Sequence, residues 1–246
     1  LKMAMPELPI TSGKFDVDPW LLNVMNGTID LRTGARREHR REEFLTKMCP
    51  VAFDPDAKAP TWERFLHRIF DGNDVTIQYM QRLCGYCLTG DVSEQILPIF
   101  FGKGANGKTT LIETLMAMLG TDYAAKAPRD LLMARRGSPH PTELTVLHGR
   151  RLVAAVETED GCRLAESVVK EVTGSDTITA RKLYQNYWQF APTHKIILAT
   201  NHTPEVRGRD HAIWRRLALI PFAVTIPERE RDLRLLESCA PSYLGS

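Results

Sequence analysis

Gly102-Lys103-Gly104-Ala105-Asn106-Gly107-Lys108-Thr109 satisfies the spacing GxxxxGK[ST] in full. The chemistry this pattern serves is the binding of a nucleoside triphosphate. Small, flexible residues let successive backbone N–H groups wrap a phosphate, and a following helix points its positive end at the anion. Lys108 is then expected to reach the β- and γ-phosphates and the Thr109 hydroxyl to hold Mg²⁺, with Thr110 completing the ATP-binding set. A glycine-rich turn with an incidental lysine is the plain alternative. Against it stand the apolar run Ile96–Phe101 before the loop and the helical pattern Thr109–Leu119 after it.

Spending the triphosphate requires a carboxylate that orients the metal and activates water, at the end of a neighbouring strand. The apolar run Arg151–Val156 ends on Glu157, followed by Thr158, Glu159 and Asp160. Glu157 is the first choice for metal and base, and Glu159 the second; otherwise these acids solvate a loop. A third apolar run, Ile196–Thr200, enters Asn201, whose amide could hold the attacking water or the γ-phosphate, or could simply form an Asn-His turn before Pro204. Trp214-Arg215-Arg216 then offers guanidinium groups suited to γ-phosphate sensing by a neighbouring subunit, although paired arginines are also common surface charge. Between these segments, Thr177–Trp188 interleaves Arg181 and Lys182 with Tyr184, Tyr187 and Trp188 across Gln185-Asn186. Cations among aromatics suit a loop that tracks single-stranded phosphates and offers ring faces. The alternative is a hairpin whose rings face the core.

The elements that must position these groups alternate. From Ser93 onward, strand-like apolar runs at 96–101, 151–156, 195–200 and 217–222 are separated by helical patterns at 109–119 and 164–173, with a hairpin pattern at 177–190. Near-continuous apolar strands separated by helices imply a mostly parallel sheet covered on both faces, an α/β core. Ahead of it, Leu21–Leu31 reads as a hairpin around Asn26-Gly27, and Pro50–Pro60 as a turn-rich linker. Two helical patterns follow, Trp62–Phe70 and Val75–Leu88. The expected division is an N-terminal segment (1–60), a helical segment (61–92), the phosphate-loop core (93–226) and the start of a C-terminal region (227–246).

The chain has 246 residues, 43% of them hydrophobic and 25% charged, with a net charge of +2, which excludes disordered and low-complexity classes. Its longest apolar runs fall far short of the roughly 20 residues of a membrane helix, and no signal-like start is seen, so a cytosolic chain with no membrane partner is expected. The sequence begins Leu1-Lys2 and stops soon after the charged stretch Arg229–Glu237, which reads as a helix start; a fragment of a longer polypeptide is expected. Arg32–Lys47 carries six Arg/Lys against three Glu and reads as a solvated face before a phosphate contact. Lys126–Arg151, punctuated by Gly137-Ser138-Pro139, reads as a basic surface loop. Cys84-Gly85-Tyr86-Cys87 has the spacing of a zinc or redox half-site but falls inside an apolar helical pattern with no second half, so buried core thiols are expected.

Taken together, these segments resemble a superfamily 3 helicase domain of the phage/plasmid primase-helicase family, related to the poxvirus-type replication NTPases. The resemblance runs through Leu21-Leu22-Asn23, Asn26–Leu31, Gly85–Asp91, the phosphate loop with Asn106-Gly107-Lys108-Thr109, Glu157-Thr158-Glu159, Lys170–Asp176, Ala199–Pro204 and Ile213–Leu217, in order and with compact spacing. It implies an AAA+-like core in a hexameric ring, acting as an ATP-dependent DNA helicase of phage or mobile-element replication in the host cytoplasm. In that scheme Lys108 and Thr109 bind ATP·Mg²⁺, Glu157 serves metal and water, and Asn201 senses the γ-phosphate. Arg215 or Arg216 is supplied in trans, and Lys170–Lys182 couples nucleotide state to the DNA-contacting hairpin. Arg181, Lys182, Gln185 and Asn186 are the expected contacts to single-stranded or forked DNA. The resemblance also implies a primase domain in the same full-length polypeptide. Two other functions compete: an ATP-switched DNA-binding initiator or loader that does not unwind, and a small-molecule P-loop kinase, for which no lid over an acceptor site is found.

Overall fold

The computed structural model describes residues 12–135, 140–157, 159, 161–208, 210–232 and 235. The expected punctuation at Gly137-Ser138-Pro139, the acids' neighbours Thr158 and Asp160, and positions 233, 234, 236 and 237 of the terminal charged stretch lie outside the described residues.

Three short antiparallel strands come first: β1 (Leu21–Val24), β2 (Gly27–Asp30) and β3 (Ala35–Arg37). The β1–β2 hairpin turns at Met25-Asn26, with Val24 opposite Gly27, so the Asn-Gly signal lies one residue out of step with the turn itself. Strand β3 lies inside the basic stretch read as a plain surface segment. There the cations are spent within the chain: Arg32 on Asp18 (2.8 Å), Arg37 on Glu43 (2.6 Å) and Lys47 on Asp16 (2.8 Å).

Helices α1 (Pro60–Ile69) and α2 (Asp74–Leu88) follow. Pro60 occupies the first turn of α1, where its missing N–H costs nothing, and the Asn73 side chain caps α2 by accepting from the Thr76 N–H (3.0 Å). Cys84 and Cys87 lie on α2, and burial pushes their thiols up to about 12 and about 11, which leaves them protonated. They behave as small hydrophobes, as the helical pattern implied.

The remaining elements build the core: β4 (Leu97–Phe101), α3 (Lys108–Tyr123), β5 (Ala124–Lys126), β6 (Leu152–Glu157), α4 (Glu166–Val172), β7 (Ile178–Arg181), β8 (Tyr187–Phe190), β9 (Lys195–Thr200), α5 (His211–Trp214) and β10 (Leu217–Pro221). Five strands form one parallel sheet in the order β10-β4-β9-β6-β5. Helix α3 breaks its helical geometry at Gly120 (φ 68°, ψ 175°), where the sequence expects the helix to close.

Alternation along the central strands feeds two cores. Phe100, Leu152, Ala154 and Ile197 face the cluster shared with α1, α2, α3 and the N-terminal strands. Their neighbours Ile99, Val153, Ile196 and Leu198 face the cluster shared with α4, α5 and the hairpin. Each fully buried aliphatic side chain contributes on the order of 1.5–3 kcal/mol, and both faces of the sheet are sealed in this way. No helix among the described residues is long and apolar enough to cross a membrane.

Candidate nucleotide site and nucleic-acid interface

The phosphate loop leaves β4 and enters α3, the strand–loop–helix context the motif requires. Two glycines are demanded by geometry. At Gly102 (φ +148°) a Cβ would stand 2.3 Å from the Phe222 carbonyl oxygen, and at Gly107 (φ +86°) it would meet Ile69 and Phe65 of α1 at 2.6 and 3.1 Å. Helix α1 therefore buttresses the loop directly. Gly104 has open space beside it, and Ala105 adopts a left-handed backbone (φ 60°). Asn106 is buried and donates to the Phe222 carbonyl (3.1 Å) and to that of Lys103, tying the loop to the chain beyond β10.

Lys108 is 6% exposed, and its Nζ folds back to the Gly102 carbonyl (2.5 Å) and Asn106 Oδ1 (3.1 Å). Both acceptors are neutral, and desolvation lowers the lysine's pKa. A cation lodged in a concave loop against neutral oxygens fits an incoming polyphosphate. Thr109 stands exposed beside it and Thr110 is half-buried, its carbonyl accepting from the Thr114 hydroxyl (2.8 Å).

Strand register puts the other expected site residues, Asn201 and Glu157, on the same edge. Phe101 pairs with Thr200, and Thr200 with Glu157, so the loop, Asn201 and the acid follow one another along the C-terminal edge of three strands. The acid strand is not the loop strand's immediate neighbour, as the sequence reading assumed; β9 lies between them. Glu157 is the last residue of β6, buried, and its Oε1 accepts from the Glu159 N–H (2.8 Å). Glu159 is exposed beyond the strand end. Asn201 is half-buried directly after Thr200, whose hydroxyl donates to the His202 carbonyl (2.7 Å).

Arg215 and Arg216 lie at the opposite edge. They precede β10, which starts level with the first residue of β4, and the Leu97 N–H donates to the Arg216 carbonyl (2.6 Å). Five strand residues at roughly 3.3 Å each put about 16 Å of sheet between these arginines and the loop that follows β4. Arg216 is buried, donating to the Ala212 carbonyl (2.5 Å) and Gln95 Oε1 (3.3 Å). Arg215 is exposed and also reaches Gln95 (2.5 Å).

The basic aromatic hairpin forms, but shorter than the alternation implied. Its strands span 178–181 and 187–190, with Arg181 opposite Tyr187, leaving five residues at the tip. Lys182, Gln185 and Asn186 are exposed there, whereas Arg181 is half-buried with its guanidinium 5.1 Å from the Tyr187 ring centre. The rings divide. Trp188 packs edge-on against His148 and beside Phe190, as the core alternative expected, while Tyr184 and Tyr187 face solvent.

Two family models match the chain: "D5 N terminal like" over residues 1–71, and a family of unknown function over residues 100–216. A protein of Acanthamoeba polyphaga mimivirus named as a helicase, L207/L206, is 32% identical over 213 residues, covering 84% of this chain and 22% of its own. A protein of African swine fever virus named as a primase, C962R, is 29% identical over 214 residues, covering 82% of this chain and 22% of its own. The chain belongs to the D5-like primase-helicase family. It spans less than a quarter of the length of these curated relatives. Among solved structures, the apo C-terminal region of NrS-1 superposes with a TM-score of 0.58 at 16% identity, covering 75% of this chain and 43% of that one, a likeness of fold.

Within this D5-like chain, the structure adds residues that the sequence reading passed over. Asp130, on a left-handed backbone (φ 59°), lies beside the Glu157 carboxyl, and the two line a cleft of about 300 Å³ with Lys126, Arg129 and Glu159. Desolvation, then the Glu157 carboxyl beside it, raises the Asp130 pKa. Asp130 falls within Lys126–Arg151, read as a basic surface loop, so nothing there signals the acid. Arg151, counted as part of a basic surface loop, is instead buried. Its guanidinium donates to the carbonyls of Pro19 (2.8 Å), Leu21 (2.8 Å) and Leu88 (2.6 Å), clasping the N-terminal strands and the end of α2 to β6.

Proposed function

We propose that this chain is the motor segment of an ATP-dependent replicative DNA helicase, an enzyme that hydrolyses ATP at interfaces between copies of itself. The observation that carries the reading is the division of charged groups between the two edges of one sheet. The phosphate loop, Asn201 and Glu157 share the C-terminal edge, and the arginines sit about 16 Å away at the other. An arginine so placed serves a nucleotide bound to the adjacent copy, which is what a head-to-tail ring of AAA+ type supplies. Six copies are the expected number. Segments 1–60 and 61–92 would brace the motor core 93–226, the region from 227 would begin a helical C-terminal region, and a primase domain would lie upstream in the same full-length polypeptide.

The residues present fit ATP·Mg²⁺. The cradle at Gly102 and Gly107 admits no side chain, and Lys108 faces only neutral acceptors. Mg²⁺ would neutralise charge shared by the β- and γ-phosphates. Lys103, Gly104, Ala105 and Asn106 would shape the loop, and Thr109 would supply a hydroxyl to the metal beside Glu157. Glu157 would take the proton of the attacking water, with Glu159 at the rim, and Asn201 would orient that water. Of the two arginines, exposed Arg215 is the better finger, because Arg216 is buried and committed to the Ala212 carbonyl. The hairpin, through Arg181, Lys182, Gln185 and Asn186, would hold single-stranded or forked DNA, as part of a replication protein of a phage, virus or mobile element.

The test is ATP hydrolysis measured against protein concentration, with and without single-stranded DNA. A rate that rises cooperatively and is stimulated by DNA is expected, and strand displacement should follow. Mixing Lys108→Ala with Arg215→Ala protein should restore hydrolysis at mixed interfaces. A rate independent of concentration, with no rescue on mixing, would overturn the shared-site reading. Stimulation without strand displacement would favour an ATP-switched loader.

A further inference from the structure

The hairpin tip offers more than positive charge. From Thr177 to Pro204 the sequence contains no acidic residue, so within the hairpin itself the charge is that of Arg181 and Lys182 alone. Three large apolar side chains are exposed on it: Leu183 at 64%, Tyr187 at 60% and Tyr184 at 97%. Exposed aromatics are costly to leave in water, and here they gather at one place.

Their environments differ. The Tyr187 ring lies beside the Arg181 guanidinium, 5.1 Å from its ring centre, and so shares one face with a cation. The Tyr184 ring is almost wholly in solvent, on a backbone with φ +59° that a tyrosine seldom adopts and that glycine or asparagine would take at less cost. The turn is held by the Gln185 N–H donating to the Lys182 carbonyl (3.0 Å), so the ring projects from a formed loop. Behind it, Ile178, Ala180 and Phe190 are buried in the core cluster beneath the sheet, which anchors the hairpin base. A strained, exposed ring on an anchored loop beside Lys182 has the chemistry of a stacking platform: every base presents a π-face, while the lysine takes the adjoining phosphate.

We infer that Tyr184 is a base-stacking contact, so that the hairpin grips unpaired nucleotides through a base as well as through the backbone. This rests on the reading of the hairpin as the nucleic-acid contact and sharpens it, because a stacked duplex has no free base face to offer. Strand recognition is then independent of base sequence but selective for single strands.

The test uses the whole chain and fluorescence anisotropy with three probes: an oligothymidylate, a sugar-phosphate strand of equal length lacking bases, and a duplex. Tyr184→Ala should weaken oligothymidylate binding by about five- to hundredfold and leave its salt dependence unchanged. Tyr184→Phe, which keeps the ring, should bind as the parent does. The parent should bind the baseless strand as weakly as Tyr184→Ala binds oligothymidylate. Lys182→Ala should instead reduce the salt slope by about 0.7, the signature of one lost phosphate contact on a single strand. Because Tyr184 is solvent-exposed, these substitutions leave the fold intact. If Tyr184→Ala binds normally while Lys182→Ala is weakened, base stacking is overturned and the hairpin is a backbone clamp. If neither substitution changes affinity, the hairpin is not the nucleic-acid contact, and the reading beneath the proposal falls with it.

Discussion

The two edges of the parallel sheet both hold buried cations, and they use them differently. At the C-terminal edge, Lys108 bonds to groups two and six residues away in its own loop. At the N-terminal edge, Arg151 bonds to carbonyls 63 to 132 residues distant, and Lys195, the first residue of β9, bonds to the Thr89 carbonyl 106 residues away and to that of Asp91 (3.2 Å). A local partner can be exchanged for a ligand at the cost of a loop adjustment. A distant one cannot be released without undocking whole elements. The loop edge is built to change partners, and the opposite edge is built to keep them.

That contrast is most sharply tested at Lys108. Lys108→Ala should abolish ATP hydrolysis while leaving the thermal midpoint within a degree or two of the parent, because only intraloop bonds are lost. Hydrolysis at the parental rate would remove the loop from the site altogether. At the other edge the arginines should separate. Arg215→Ala should lower turnover by roughly 10³-fold at little cost in stability, as loss of an arginine finger does. Arg216→Ala should cost on the order of 1–3 kcal/mol in stability, since the packing of a buried side chain and its bond to the part-buried Ala212 carbonyl are lost together. The reverse pattern in paired turnover and denaturant measurements would exchange the two roles.

Arg151→Met is the converse of the lysine experiment. It removes the guanidinium that the Pro19, Leu21 and Leu88 carbonyls share, leaving Pro19 only the Gly90 N–H (2.6 Å), and a loss on the order of 3 kcal/mol is expected from denaturant unfolding. Nucleotide binding by the protein that remains folded should be near normal. A stable Arg151→Met protein would mean that the N-terminal strands are docked by their apolar contacts alone.

The loop edge was largely legible in the sequence and the opposite edge was not, for the same reason. Lys108 acts through partners in its own loop, and the spacing of Gly102, Gly107 and Lys108 marks that loop in the sequence, although the groups that close around the two glycines, Phe222, Ile69 and Phe65, come from distant segments. The positions of Glu157 and Asn201 at that edge could be read because a strand must end before it can present a side chain at its edge, and apolar runs show where strands end. Arg151 acts through partners fixed only by the tertiary fold, and in sequence it is one more cation in a basic stretch. The order of the strands was invisible for a similar reason: apolar runs give the existence of β9 but not its insertion between β4 and β6. Short elements escaped as well, since β3 and β5 span three residues each and owe their form to pairing with longer neighbours. At the hairpin, alternation indicated the strands, but not that Trp188 would turn to the core while Tyr184 stayed in solvent.

His194 extends the comparison to a neutral group and gives its smallest test. It precedes Lys195 at the partner-keeping edge, 2% exposed, with Nε2–H donating to the Val172 carbonyl (3.0 Å). Its Nδ1 has no partner among the described residues, so protonation there would bury an unpaired charge. Desolvation accordingly pushes its pKa down to about 4, below the ordinary histidine value near 6.5. The sign follows from proton binding. Between pH 6.5 and about 4 the unfolded chain takes up a proton at this position that the folded chain refuses, so stability falls as the pH falls. The contribution is fully present above pH 6.5 and declines by on the order of 1.4 kcal/mol per pH unit below it. His194→Gln keeps a side-chain amide able to donate to Val172 and cannot titrate. Denaturant midpoints at pH 7 and pH 5 should therefore diverge less in this variant than in the parent. Equal divergence would show that the acid sensitivity arises elsewhere and that this edge is not closed to a proton.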